Sequence, residues 1–176
     1  MSNRYTECLK IVLSNEGRLS NHPADKGGLT NFGVTQERFT AYLDANNRPD
    51  RSVVSIDPFE VEEIYLEYWD SAKCAEIPEP LDLQVFDVSI NSGANKAIVL
   101  LQRALNMQPD HHTGNYGPIT RARVRDAVIT GSVGELCKAY LAERRKFYRN
   151  RVRLEPSQQA FIDGWMARVD HMGKFT

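Results

Sequence analysis

Apolar residues recur with helical spacing along most of the chain. At the N-terminus Tyr5, Cys8, Leu9, Val12 and Leu13 are spaced 3, 1, 3, 1, one stripe of an α-helix that should stop near Gly17. The stripe then breaks. Residues 18–35 contain Asn21, Pro23, Asp25, Gly27, Gly28, Asn31 and Gly33, too many turn formers for a helix, while the threonines and valine among them predict a short hairpin or irregular ribbon. Helical spacing returns over 36–47, with Phe39 and Leu43 inward. The stretch from Asn46 to Pro58 reads as a polar loop. Asp57-Pro58 supplies an N-cap and a first-turn proline for a stronger helix, whose apolar side is Phe59, Val61, Ile64, Tyr65, Tyr68 and Trp69. Two helices are predicted over 81–92 and 94–107, meeting near Asn91-Ser92-Gly93. Residues 108–117 form a loop and Pro118 starts another helix. Long amphipathic patterns over 132–151 and 157–172 close the chain.

This pattern predicts a mainly α fold with one short irregular or β-hairpin segment near residues 18–35. Composition narrows it little: 176 residues, 41% hydrophobic and 26% charged, fit one globular domain or a domain plus a small module. A disordered, low-complexity or collagen-like chain is excluded. No apolar run approaches the roughly 18–20 residues of a membrane span. The first residues carry Arg4, Glu7 and Lys10 and no small-residue cleavage site, so no signal peptide is expected. Three cysteines, Cys8, Cys74 and Cys137, without a CxxC pattern read as reduced core thiols, not as a disulfide framework or zinc site.

The net charge of −1 conceals a division. Residues 1–120 carry 10 Lys and Arg against 17 Asp and Glu, and residues 121–153 carry 10 against 3. The run Arg144-Arg145-Lys146, with Arg149, Arg151 and Arg153, reads either as a surface for an anionic partner or as a solvated helix face.

Candidate chemistry concentrates in residues 15–35. Glu16 stands at the end of an apolar helix, where partial desolvation favours the protonated form of a carboxyl group and suits a general acid. Asp25 lies nine residues later in a turn-rich loop, where a carboxylate stays ionised. Thr30 and Thr35 follow. Two carboxyl groups in unlike surroundings are the minimum for cleaving a glycosidic bond. Gly27, Gly28 and Gly33 would let the backbone approach a bulky substrate. Such a loop also occurs for purely structural reasons.

The residues in order carry a resemblance. Glu16-Gly17, Asn21-His22-Pro23-Ala24-Asp25 and Gly27-Gly28-x-Thr30-Asn31-x-Gly33-Val34-Thr35 resemble the N-terminal signature of glycoside hydrolase family 108. These are N-acetylmuramidases found mainly as phage endolysins and their prophage-encoded relatives. The Glu16, Asp25 and Thr30 set is more loosely similar to that of phage-type lysozymes. One departure is that Arg18 and Leu19 stand where the family has a glycine and an aromatic residue. Further along, Leu83-Gln84-Val85-Phe86-Asp87, Asn91-Ser92-Gly93, Ala97, Leu101-Gln102-Arg103-Ala104-Leu105 and Gly117-Pro118-x-Thr120 resemble the predicted peptidoglycan-binding region that accompanies that family.

The resemblance implies a lysozyme-like helical fold, with a catalytic region over residues 1–80 and a peptidoglycan-binding-like region over 81–176 packed against it. It implies hydrolysis of the β-1,4 bond between N-acetylmuramic acid and N-acetylglucosamine, causing bacterial lysis. Glu16 would be the general acid, Asp25 would stabilise developing charge or activate water, and Thr30 would orient that water. Asn31, Tyr65, Asn91 and Gln102 are the candidates for contacting substrate. Tyr65, Tyr68 and Trp69 read equally as core, and Asn91 equally as a helix cap. No cofactor or metal is expected; His111-His112 lacks further ligands at recognisable spacing. Peptidoglycan is the expected partner, with a holin for export, no nucleic acid and a monomeric state. The expected location is the bacterial host cytoplasm, with action on the wall after release. The alternatives are a lytic transglycosylase forming 1,6-anhydro ends and a non-catalytic cell-wall-binding module.

Overall fold

The computed structural model describes residues 3–16, 19 and 28–176. Among these the fold is mainly α: eight α-helices, several short 3-10 turns and one two-stranded hairpin. The chain divides into two compact units, Met1–Glu67 and Tyr68–Thr176. Among the described residues, no helix is long and apolar enough to cross a membrane.

In the first unit, α1 (Asn3–Asn15) buries Tyr5, Cys8, Leu9 and Val12, the stripe its spacing predicts. Burying each such side chain contributes about 1.5–3 kcal/mol. Tyr5 Oη donates to the Glu62 carbonyl at 2.6 Å, fastening α1 to α3 (Pro58–Ser71). The hairpin pairs β1 (Thr30–Asn31) with β2 (Val34–Thr35) in antiparallel register, Thr30 opposite Thr35 and Asn31 opposite Val34. Its two turn residues, Phe32 and Gly33, both have positive φ, 50° and 75°. That is the type I′ geometry, whose twist matches that of the strands. Thr35 then caps α2 (Gln36–Ala45), accepting from the Arg38 N–H at 3.2 Å.

The start of α3 is a capping box. The Glu60 N–H donates to Asp57 Oδ1 at 2.9 Å, and the Asp57 N–H donates to Glu60 Oε2 at 3.1 Å. Glu60 is buried and forms ion pairs with Arg48 and Arg51. The stretch before it is less polar in structure than in sequence. Val53 and Ile56 are buried beside a 3-10 turn, Val53–Ser55. Two amides from elsewhere hold it. Gln36 Oε1 accepts from the Val53 N–H at 2.7 Å, and Asn31 Nδ2 donates to the Val53 and Val54 carbonyls at 3.2 and 3.3 Å.

In the second unit, α4 (Leu81–Ser92) is buried on nearly every side and is its central element. It packs against α5 (Ala94–Ala104) and α7 (Val133–Leu154); α6 (Pro118–Ile129) and α8 (Ile162–Met172) also pack on α7. The final predicted helix is shorter than expected. Residues Pro156–Phe161 form a 3-10 turn before α8 begins. Cys8, Cys74 and Cys137 are buried free thiols, and burial pushes Cys137 up to about 12, so it is protonated and unreactive at neutral pH.

The basic run of α7 is neither of the surfaces expected for it at its first position. Arg144 is fully buried, with Nη2 2.6 Å from Asp87 Oδ2 on α4. Arg168 of α8 grips the other oxygen of the same carboxylate at 2.6 Å. Tyr148 Oη accepts from Arg144 Nε and Nη2 at 3.2 Å. Burial alone would raise Asp87, but the two guanidiniums hold it below the usual carboxylate range. Arg145 pairs with Asp170 at 2.7 Å and Lys146 with Glu143 at 2.6 Å.

Candidate active site

Glu16 comes immediately after α1, and its N–H still donates to the Leu13 carbonyl at 3.2 Å. The helical path therefore carries the carboxyl group off the end of an apolar helix. Its Oε1 is buried. The type I′ turn of the hairpin comes up against it. A Cβ placed on Gly33 would lie 2.8 Å from Glu16 Oε2, 2.9 Å from Glu16 Cδ and 2.5 Å from Tyr65 Oη. A side chain at position 33 would thus occupy the space of the carboxyl group. The glycine serves both the positive φ and this approach.

Tyr65 completes the arrangement from α3. Its ring is buried, and Oη donates to the Phe32 carbonyl at 2.8 Å. Three elements meet here: the end of α1, the hairpin turn and the middle of α3. The sequence reading had the glycines admitting a substrate. At Gly33 the space is taken by protein side chains, Glu16 and Tyr65. Tyr65 presents its hydroxyl, not its ring face, to the turn.

The other candidates fall into three groups. Thr30 and Asn31 form the first hairpin strand, next to the turn that holds Glu16. Thr30 Oγ1 donates to the Gly28 carbonyl at 3.1 Å and is half-buried; the Asn31 amide is directed at the Val53 turn. Asp25 lies outside the described residues, as do Gly17, Arg18 and Asn21 through Gly27. Asn91 and Gln102 belong to the second unit. Asn91 is exposed and donates to the Asp87 carbonyl of its own helix at 2.6 Å, while Gly93 takes the cap position of α5. Gln102 is buried. It donates to Thr113 Oγ1, the Asn115 carbonyl and Thr120 Oγ1 at 3.0–3.3 Å and accepts from the Gly114 N–H at 3.1 Å, holding the loop that precedes α6. Trp69 is buried edge-on against Phe86. Among the described residues no cluster of His, Cys, Asp and Glu is arranged to hold a metal ion.

A carboxyl group lodged against a glycine turn, with a buried phenol bonded to the same turn, can give a proton to, or take one from, a substrate oxygen. Residues 9–93, which contain this arrangement, match the family model described as glycosyl hydrolase 108. This region is a glycosyl hydrolase family 108 domain. The family 108 match is followed by a second, over residues 96–170, to a predicted peptidoglycan domain. Among solved structures, Brucella abortus SagA is similar with a TM-score of 0.75 and 27% identity, over 97% of this chain and 92% of that one. No curated protein matches. The fold is the mainly α, lysozyme-like one. The two matched regions make this family 108 member a glycoside hydrolase that acts on peptidoglycan. Glu16, Asp25, Thr30, Asn31, Tyr65 and Asn91 fall within the first matched region and Gln102 within the second.

Proposed function

We propose that this family 108 hydrolase is an N-acetylmuramidase with Glu16 as its general acid, cleaving the β-1,4 bond between N-acetylmuramic acid and N-acetylglucosamine. The observation that carries this reading is the packing of the Glu16 carboxyl group against Gly33, in the turn that Tyr65 also holds, within the family 108 region. In this reading Glu16 protonates the leaving glycosidic oxygen as positive charge develops at the anomeric carbon. Asp25 stabilises that charge or deprotonates the attacking water. Thr30, on the strand beside the turn, orients the water. The enzyme acts as a monomeric endolysin, made in the host cytoplasm and passed to the wall through a partner pore such as a holin. Three buried free thiols suit synthesis in a reducing compartment.

Glu16→Gln keeps the shape of the side chain and removes the acidic proton. It is expected to fold as the wild type and to lose about 10²–10⁴-fold in wall-clearing rate, the usual worth of a general acid. A purified variant that clears cell walls at the wild-type rate would overturn the assignment. Asp25→Asn is expected to lose much of the activity as well; equal turnover would reduce Asp25 to a loop-shaping residue.

A further inference from the structure

Within the second unit, one face of α7 and one face of α5 enclose a groove of about 560 Å³. That volume lies in the roughly 300–1,000 Å³ range of small-ligand sites. From α7 come Glu143, Lys146, Phe147, Asn150, Arg151 and Leu154, spaced 3, 1, 3, 1, 3 along a single helical stripe. From α5 come Lys96 and Arg103, two turns apart on the same side. Glu155, just after α7, also lines it. Four cations thus face two carboxylates. Glu143 is already paired with Lys146 at 2.6 Å, and Arg151 stacks on the Trp165 ring with its guanidinium 5.3 Å from the centroid. Lys96 Nζ stands 5.4 Å from the Phe147 ring centroid, and neither Lys96 nor Arg103 has a carboxylate partner among the described residues. The floor between them is apolar: Phe147 and the exposed Leu154.

We propose that this groove binds the stem peptide of peptidoglycan. This inference rests on the reading of the chain as a peptidoglycan hydrolase, and every lining residue falls within the region matched to the peptidoglycan domain. Charge complementarity selects the peptide over the glycan. The sugar strand is uncharged where its lactyl groups are amide-linked to peptide, so the negative charge of the polymer sits on stem-peptide carboxylates. Lys96 and Arg103 receive those carboxylates, and Phe147 and Leu154 pack on the alanyl methyl groups. The groove holds the wall in place; it performs no chemistry.

The test is co-sedimentation of the full chain with purified sacculi, at low salt and on ice, in competition with one of two soluble probes: free stem tetrapeptide, or a chitooligosaccharide, which is an uncharged glycan without lactyl or peptide groups. Exposed ion pairs are individually weak, so Lys96→Glu and Arg103→Glu are combined. The double variant is expected to bind intact sacculi at least tenfold more weakly than the wild type, and the stem peptide, but not the chitooligosaccharide, is expected to displace the wild type. Wild-type binding of the variant to intact sacculi would overturn the proposal. So would displacement of the wild type by the chitooligosaccharide and not by the stem peptide, which would point to the glycan. A wild type that binds duplex DNA or anionic vesicles as tightly as sacculi, with the variant losing all alike, would show a general anion surface and also overturn it. If circular dichroism shows the double variant unfolded, the same comparison is made with Lys96→Gln/Arg103→Gln. Release of reducing ends by the wild type is read in parallel at 37 °C. Its absence would remove the hydrolase reading while leaving the binding result to stand.

Discussion

Gly33 does more for the candidate site than any other residue without a functional group of its own. Its φ of 75° suits a glycine, and its missing Cβ is the space that Glu16 and Tyr65 fill. Gly33→Ala is therefore expected to cost about 1–2 kcal/mol from the left-handed backbone alone, and to displace the Glu16 carboxyl group besides. The expected signature is a fall in turnover larger than the fall in stability explains. Wall-clearing rates and thermal melts of the same preparation check it, and an alanine variant of unchanged rate would separate Gly33 from the acid. A second residue-scale case is Asp87. Replacing it by alanine leaves Arg144 buried and without its carboxylate, a loss of about 3–5 kcal/mol by analogy with other broken buried pairs, measurable by urea unfolding. Arg144 shows why such residues escape a sequence reading. It stands first in Arg144-Arg145-Lys146, and nothing local marks it as the inward position. Its partner is 57 residues earlier on α4. Glu16 was legible because its signal is local, a carboxyl residue where an apolar stripe meets a glycine-rich segment. The role of Gly33 was not, because it depends on what packs against the turn.

At the scale of elements, the start of α3 and the corner between α4 and α5 were readable for the same reason. Asp57-Pro58 and Ser92-Gly93 act within one turn of themselves. The segment between α2 and α3 was not. Its proline and polar residues indicate a loop, but Val53 and Ile56 are buried because Gln36 and Asn31 hold the chain there from outside. The hairpin itself was foreseen, while its two-residue turn with Phe32 at positive φ has no sequence signature as clear as Asn-Gly. Gln102 plays the part of Gln36 and Asn31 in the second unit. Gln102→Leu would leave Thr113, the Asn115 carbonyl, Thr120 and the Gly114 N–H without that amide. It is expected to cost about 1–3 kcal/mol and to raise hydrogen exchange across residues 108–117. Unchanged protection there would show that the loop is held by other contacts.

For the molecule as a whole, the division of charge along the sequence is partly settled within the second unit. Arg121 pairs with Glu76, Arg144 with Asp87 and Arg145 with Asp170, each pair joining a basic residue of 121–153 to an acid outside it. The excess that remains open includes the groove between α5 and α7. The Asp87 pairing also sets a pH dependence. Asp87 is held below the ordinary aspartate value of about 3.9 when folded. Its contribution is therefore fully present above that value and is lost as pH falls toward its folded value. Urea unfolding between pH 7 and 3 should show stability falling below about pH 4, and Asp87→Ala should remove part of that fall. An unchanged acid slope in the variant would mean that other carboxylates set it.

The reaction proposed for this family 108 hydrolase is cleavage of the muramyl bond by addition of water. Mass spectrometry of peptidoglycan digested by the purified enzyme tests it most directly, with borohydride reduction to mark the new ends. Muropeptides ending in reduced N-acetylmuramic acid, generated by the wild type and absent with Glu16→Gln, are predicted. Ends carrying N-acetylglucosamine, or 1,6-anhydro ends, which borohydride does not reduce and which are therefore lighter by one water and two hydrogens, would contradict it.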